Sequence, residues 1–227
     1  MQVIPVVDLK HGVVVRAQRG NRSAYRPIET PLSPTSEPVD VVGGLLALHA
    51  FRTLYVADLD AIMASGDDID AIRRIRQAFP ALELWIDNGA ADAEALDALV
   101  KEGLGAPVIG SESQRDGALL ARAPEALLSL DFRGDDFLGP PEILDRPELW
   151  PQRVIVMTLA RVGSGAGPDI PRLAAIQARA GARTIYAAGG VRDMGDLAAL
   201  KAAGIGGALV ATALHDGRLT GAEIAGV

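Results

Sequence analysis

A closed TIM-type (βα)8 barrel whose halves are related by an internal duplication is the α/β fold this sequence predicts, and three observations carry the prediction. Short runs rich in Val, Ile, Leu and Ala alternate eight times with longer segments of helical spacing, as strands of a parallel sheet alternate with covering helices. Short motifs recur at a nearly constant offset along the chain. The stretch Tyr186-Ala-Ala-Gly-Gly-Val-Arg-Asp193 is an apolar run that breaks into two glycines and a charged helix start, which reads as strand, turn and helix.

In chain order the strands are expected from Val3 to Val7, Leu54 to Ala57, Leu82 to Ile86, Ala106 to Ile109, Ala126 to Leu130, Val154 to Met157, Thr184 to Ala187 and Gly207 to Val210. Helical spacing fills the gaps, for example Val39 to Ala50, Asp68 to Ala78 and Asp92 to Lys101. The helix from Asp193 to Ala203 takes Asp193 as its N-cap. Residues 1–227 are therefore read as one barrel domain, with half-barrel repeats at about 1–118 and 119–227.

The repeat can be counted. Asp58-Leu59 is echoed by Thr158-Leu159 at an offset of 100, and Asn88-Gly89 by Gly189-Gly190 at 101, with Asp92 and Asp193 in step. Gly110-Ser111 is echoed by Ala211-Thr212 at 101, whereas Asp8-Leu9-Lys10 matches Asp131-Phe132-Arg133 at 123. The first half thus carries about 23 additional residues after its first strand, a loop whose purpose needs an explanation.

Composition narrows the function. A formal net charge of −7 and a pI near 5.0 argue against a general nucleic-acid or acidic-membrane binder, since both need a positive field. With no cysteine and three scattered histidines, neither a disulfide framework nor a metal centre is expected, and no cofactor is called for. The N-terminus shows no signal-peptide pattern and no apolar run is long enough to span a bilayer, so a cytoplasmic protein is expected. The sequence leaves the oligomeric state open.

Glycines at 189 and 190 let backbone N–H groups approach an anion, and the helix beginning beyond them adds a favourable dipole. A tight turn that binds nothing would use the same residues. The next unit, Gly207 to Leu214, also ends in small residues, and phosphate sites in βα barrels are commonly built by the last two βα loops together. Gly189, Gly190, Val191, Ala211 and Thr212 are accordingly the candidate phosphate site. Asp8 and Asp131 follow the first and fifth strands, on opposite sides of the ring, at the end where barrel enzymes work. Opposed carboxylates suit a general base and a general acid. Either one alone would serve equally well as a loop cap or as a partner of Lys10 or Arg133; paired beside a phosphate site, they favour chemistry.

Val3-Ile-Pro-Val-Val-Asp-Leu-Lys-His-Gly12, Leu54-Tyr-Val-Ala-Asp-Leu-Asp60, Leu128-Ser-Leu-Asp131, Ala187-Ala-Gly-Gly190 and Ala213-Leu-His-Asp-Gly-Arg218 resemble the histidine-biosynthesis barrels of the HisA/HisF family over nearly the whole chain. The resemblance implies an aldose-to-ketose isomerisation or a paralogous reaction, with Asp8 as base, Asp131 as acid and Thr158 in the position of the isomerase's strand-six threonine. It implies phosphate contacts at Gly189-Gly190 and Ala211-Thr212, with Gly110-Ser111 at the end of strand four as their first-half counterpart. A barrel that binds a phosphate ligand without performing chemistry is the alternative.

Departures from the family pattern point to a different substrate. The isomerase of the family binds two phosphates, the second at a Gly-Gly-Gly turn after strand three; here that turn is Asp87-Asn88-Gly89, with Glu112 nearby after strand four. Anionic side chains there oppose a dianion, so a substrate with one phosphate is expected. The first loop carries Arg19, Arg22, Tyr25 and Arg26, of which Arg22, Tyr25 and Arg26 are expected to meet the other end of the substrate. A solvated basic loop would show the same residues. In these features the chain is most similar to a HisA/HisF-related branch of methylotrophs and methanogens associated with one-carbon coenzyme synthesis. Gly163-Ser-Gly-Ala-Gly167 lacks the lysine of a nucleotide loop and is expected to form a lid. Of the remaining candidates, His11 either assists Asp8 or points outward, His49 is expected to be structural or solvent-facing, Trp85 and Trp150 are expected to be packing residues, and His215 is expected to belong to a helix start.

Overall fold

The computed structural model of the chain describes residues 1–18 and 20–227; Arg19 of the basic first loop lies outside the described residues. Eight parallel strands form the ring: β1 (Gln2–Lys10), β2 (Thr53–Asp58), β3 (Glu83–Asp87), β4 (Ala106–Gly110), β5 (Leu127–Arg133), β6 (Arg153–Thr158), β7 (Thr184–Ala188) and β8 (Gly207–Val210). Each pairs with its sequence neighbours, and β8 closes on β1 through Gln2↔Gly207 to Pro5↔Val210. Closure leaves no free sheet edge in the ring, and the apolar outer faces of the strands are buried under the intervening helices.

Inward-facing positions follow from the two-residue period of a strand. One side chain from each strand fills the lumen: Ile4, Tyr55, Trp85, Val108, Leu127, Ile155, Tyr186 and Leu209. Trp85 and Tyr186 meet edge-to-face with ring centroids 4.9 Å apart. Burying such side chains stabilises the fold by about 1.5–3 kcal/mol each, and the plug they form is the floor of the site above.

The register repeats between the halves. Ala57↔Asp87 in β2–β3 corresponds to Met157↔Ala188 in β6–β7, and Trp85↔Ala106 in β3–β4 to Tyr186↔Gly207 in β7–β8. Asp8↔Ala57 likewise corresponds to Asp131↔Met157. Trp85 and Tyr186 are therefore equivalent residues touching across the lumen, and Asp8 and Asp131 occupy equivalent places.

Two strands run further than the apolar runs predict. β1 and β5 continue past their aspartates to Lys10 and Arg133, because each folds back into an antiparallel hairpin, with Val13–Arg16 and with Asp136–Leu138. Asp8 and Asp131 thus sit on paired backbone, opposite Val15 and Leu138, rather than in loops. The β1 hairpin turn is tied down by β2-side acids: the N–H of His11 donates to Asp60 at 2.7 Å and that of Gly12 to Asp68 at 2.6 Å. No helix among the described residues is long and apolar enough to cross a membrane.

Candidate active site

The C-terminal ends of the strands open into a cavity of about 350 Å³ whose wall includes Asp8, Asp87, Asp131, Gly189, Gly190, Ala211 and Thr212. That volume lies within the range of ordinary small-molecule sites. The first loop and the loop after β6 close over it together. An added Cβ at Gly163 would stand 2.5 Å from the carbonyl oxygen of Ala17, so the two backbones touch. Of the expected lid Gly163–Gly167, the residues Gly163, Ser164 and Gly165 line the cavity together with Val162, while Ala166 and Gly167 do not.

The two aspartates are held differently. Asp131 is 4% exposed and fully engaged: the Ser129 hydroxyl donates to its Oδ1 at 2.6 Å, and the Glu112 N–H approaches its Oδ2 at 3.2 Å. Burial, together with the nearby acids Asp87 and Glu112, pushes its carboxyl up to about 7. Asp8 is half-buried, and among the described residues no hydrogen bond reaches its carboxyl; burial pushes it up to about 7, Arg22 opposes the rise, and Asp87 adds to it. One carboxyl is thus anchored and the other is free to meet a ligand.

Asp87 is a third carboxylate in the same wall. The buried Tyr55 hydroxyl donates to its Oδ2 at 2.8 Å and the Gly89 N–H to its Oδ1 at 3.1 Å. Tyr55 is a site residue the motif reading passed over. Its signal was the alternation that turns residues 55 and 57 of β2 inward.

Arg22 extends from the first loop and pairs with Glu112, while Lys10 donates to the Arg22 carbonyl at 3.0 Å. This guanidinium, itself under the influence of Asp87, answers one of the two acids on the β3–β4 side. Tyr25 is buried against the same wall, its phenol pushed up to about 12 by burial and by Asp8. Arg26 is exposed, reaches back to the Tyr25 carbonyl at 3.2 Å and does not line the cavity.

Across the mouth, the turn after β7 is shaped by close backbone packing. A Cβ at Gly190 would lie 2.2 Å from the Gly167 carbonyl oxygen, and one at Gly189 2.6 Å from that of Thr158; both residues also have positive φ, 93° and 98°. The glycines are thus required by geometry whether or not an anion binds. Among the described residues the N–H groups of Gly190, Val191, Thr212 and Ala213 have no hydrogen-bond acceptor, and all four residues line the cavity. Arg16, Arg192 and Arg218 line the same side; Arg16 pairs with Asp216 at 2.9 Å and Arg192 with Asp196 at 2.8 Å.

Other sequence-predicted residues lie elsewhere. Thr158 is buried on the helix-facing side of β6, with its hydroxyl 3.4 Å from Arg172, while its neighbours Met157 and Leu159 line the cavity. Ser111 is fully buried under Asp131 and bonds the Leu138 carbonyl at 2.7 Å, and neither it nor Gly110 lines the cavity. His11 sits on the hairpin turn 3.0 Å from Asp60, and the Trp150 indole donates to the Ile143 carbonyl at 2.6 Å. His215 is buried, held 3.2 Å from the Thr30 hydroxyl and pushed down to about 4, so it is neutral at pH 7.

Comparison with known proteins places this geometry. The model of the histidine biosynthesis protein family matches residues 2–135 and 146–220. An uncharacterized protein of Methanocaldococcus jannaschii is 30% identical over 233 residues, spanning 99% of this chain and 97% of its own. Phosphoribosyl imidazole-4-carboxamide isomerases of Myxococcus xanthus and Thermus thermophilus are each 28% identical, covering 99% and 96% of this chain and 98% and 96% of theirs. With a matching family model over most of its length and relatives aligned end to end, the chain belongs to the histidine biosynthesis protein family.

Proposed function

We infer that the protein is an acid-base isomerase acting on a phosphorylated small molecule, with Asp8 as base and Asp131 as acid. One observation carries the reading: two carboxyls at equivalent register positions open into one cavity, and both are pushed to about 7, where one is readily ionised while the other is protonated. In an aldose-to-ketose isomerisation of an amino sugar, Asp131 delivers its proton to the ring oxygen, which leaves the anomeric carbon and opens the ring to an imine. Asp8 then removes the C2 proton, and the electron pair moves toward the imine to give the enol form of the aminoketose. Thr158, with its hydroxyl turned to Arg172, acts at most through the backbone of the loop it begins.

The phosphate is assigned to the N–H groups of Gly190, Val191 and Thr212, beside Arg16 and Arg192. The names of the isomerase relatives give a substrate with two phosphoribosyl groups. This chain is assigned a substrate with one phosphate, in a reaction paralogous to theirs and, from its similarity to the one-carbon branch, in coenzyme synthesis. Its β3–β4 side presents Asp87, with Arg22 already committed to Glu112, and Gly110-Ser111 is buried beneath Asp131. Arg22 and Tyr25 line the wall that the other end of the substrate meets.

The test is turnover by the purified protein on the bisphosphorylated intermediate of the isomerase relatives and on monophosphorylated amino sugars, with Asp8→Asn and Asp131→Asn beside the wild type. Each variant is expected to lose about 10²–10⁴-fold. For the wild type, the rate is expected to fall below about pH 7 as Asp8 takes up a proton and above about pH 7 as Asp131 loses one. A folded Asp8→Asn protein with near-normal turnover ends the acid-base assignment. Phosphate binding without turnover on any substrate favours a binding barrel, and full activity on the bisphosphate overturns the one-phosphate assignment.

A further inference from the structure

We propose that Asp87 and Asp131 form an asymmetric carboxyl pair in which Asp87 stays ionised and thereby keeps Asp131 protonated as the proton donor. The inference rests on the reading of Asp131 as the acid and assigns Asp87 the role of setting its charge state.

Proximity comes first. Both carboxyls reach toward the Cα of Gly110: a Cβ built there would stand 3.3 Å from Asp131 Oδ2 and 3.7 Å from Asp87 Oδ2, so those oxygens are no more than 7.0 Å apart. A side chain at position 110 would meet both carboxyls. The charged and titratable groups around the pair are Tyr55 from β2, Glu112 from the loop after β4, Arg22 from the first loop and Asp8 from β1. Among the described residues Arg22 is the cation in that group, and it is held by Glu112. Like charges this close and this buried are not both ionised at neutral pH unless a cation separates them.

The carboxyl that holds the shared proton is the one with an acceptor for it. Burial raises the Asp87 carboxyl, and against that rise it accepts from two groups that can only donate to it here, the Tyr55 hydroxyl at 2.8 Å and the Gly89 N–H at 3.1 Å, both of which favour the anion. The Tyr55 phenol is pushed well above its ordinary range by burial and by the surrounding acids, so it remains a donor.

Asp131 has two donors as well, the Ser129 hydroxyl at 2.6 Å and the Glu112 N–H at 3.2 Å, and differs from Asp87 in one further contact. The Ser111 hydroxyl has one proton, and its nearest acceptor is the Leu138 carbonyl at 2.7 Å; its oxygen meanwhile accepts the Asp131 N–H at 2.9 Å. The remaining contact, between Ser111 Oγ and Asp131 Oδ2 at 3.3 Å, becomes a hydrogen bond when Oδ2 carries the proton and donates to the second lone pair of Oγ. Each carboxyl thus has two anion-stabilising donors, and among the described residues Asp131 alone also has a proton acceptor beside it, the Ser111 oxygen.

Carboxyl-carbon NMR titration of the whole protein tests this without any substrate, with the Asp131 resonance assigned by its loss in Asp131→Asn. Asp131 is expected to titrate near pH 7 in the wild type. In Asp87→Asn, which keeps the side-chain shape and removes the charge, its midpoint is expected to fall by about one pH unit or more, a tenfold loss of proton affinity. Asp87→Ser, which leaves Tyr55 a partner, is the second variant should the first fold poorly. A merely structural role for Asp87 would change stability and leave the Asp131 midpoint in place; that result, or a wild-type Asp131 titrating near the ordinary value of about 4, overturns the pair. If the midpoint moves as expected but Asp131 is dispensable for turnover, the pair stands and the acid assignment falls.

Discussion

The β3–β4 and β7–β8 sides of the mouth share one register and carry opposite electrostatics. Asp87 and Ala188 occupy equivalent places opposite Ala57 and Met157, and the helices that follow both start from an aspartate N-cap, Asp92 and Asp193. On the β7–β8 side, the small residue at 188 leaves N–H groups and three arginines facing the cavity. On the β3–β4 side, Asp87 points inward onto Tyr55, near Asp131, and the arginine that reaches it is tied to Glu112. The two halves therefore repeat one backbone, while one inward-facing position per half differs in charge; on the proposed reading that position sets whether its side takes an anion or holds a proton.

The comparison breaks if the two sides can be exchanged without consequence. Ala188→Asp places on the phosphate side the carboxylate its counterpart already has, and two unit charges about 5 Å apart at an effective dielectric near 20 interact by about 3 kcal/mol. Phosphate affinity, measured by calorimetry, is expected to fall at least tenfold in Ala188→Asp and much less in Ala188→Asn. The reciprocal double variant, Asp87→Asn with Glu112→Gln, is expected to gain affinity for a bisphosphate over a monophosphate. Equal phosphate affinity in Ala188→Asp and Ala188→Asn would show that charge at this position does not define the anion side.

Stability should depend on pH with opposite sign at the two sides. Asp8, raised from 3.8 to about 7, binds its proton more tightly in the folded chain, so its favourable contribution is present at low pH and is lost as pH rises through about 7. Asp196, lowered by the Arg192 guanidinium, contributes above its unfolded value and loses that contribution as pH falls through its folded one. Asp8→Asn is therefore expected to stabilise the fold by about 1–2 kcal/mol at pH 9 and by little at pH 4, since among the described residues that side chain has no hydrogen bond to lose. Asp196→Asn should destabilise at pH 7 and less at pH 3. Denaturant unfolding at these pH values measures both, and a destabilised Asp8→Asn at pH 9 would show that its carboxylate is not held at a cost.

Periodicity and offset in the sequence were sufficient to locate all eight ring strands, because each inward and outward face is written as an alternation of apolar residues. The hairpins after β1 and β5 were not legible. Val13, Val14 and Val15 read as loop because their partner strand is the far end of β1, a pairing set by the turn at His11 and Gly12 rather than by local composition. At the site, Asp8, Asp131 and the glycine turn stood out as motifs, whereas the partners that control them did not. Ser129 lies two residues before Asp131 on the same strand face, and Tyr55 reaches Asp87 across neighbouring strands. Arg22 was visible as a cation for a ligand; its pairing with Glu112 is a contact over 90 positions that no local pattern announces.

The smallest expected effect sharpens the comparison by separating backbone from charge. Asp92 accepts the Ala95 N–H at 2.9 Å and Asp193 the Asp196 N–H at 3.1 Å, and both caps are exposed. Replacing either by alanine leaves one helix-terminal N–H without its partner, so Asp92→Ala and Asp193→Ala should each cost about 1 kcal/mol. Their consequences for ligand binding should differ. The helix capped by Asp193 follows the Gly189-Gly190 turn and is clamped to it by Arg192, whose N–H and guanidinium both bond Asp196. Loosening that cap disturbs the N–H groups assigned to the phosphate, while loosening the Asp92 cap disturbs the side to which no phosphate is assigned. Equal stability losses with a phosphate-affinity loss confined to Asp193→Ala are the expected outcome of paired unfolding and calorimetric measurements. Equal affinity losses in both variants would mean that both helix starts serve the anion, and that Asp87 does not set the two sides apart.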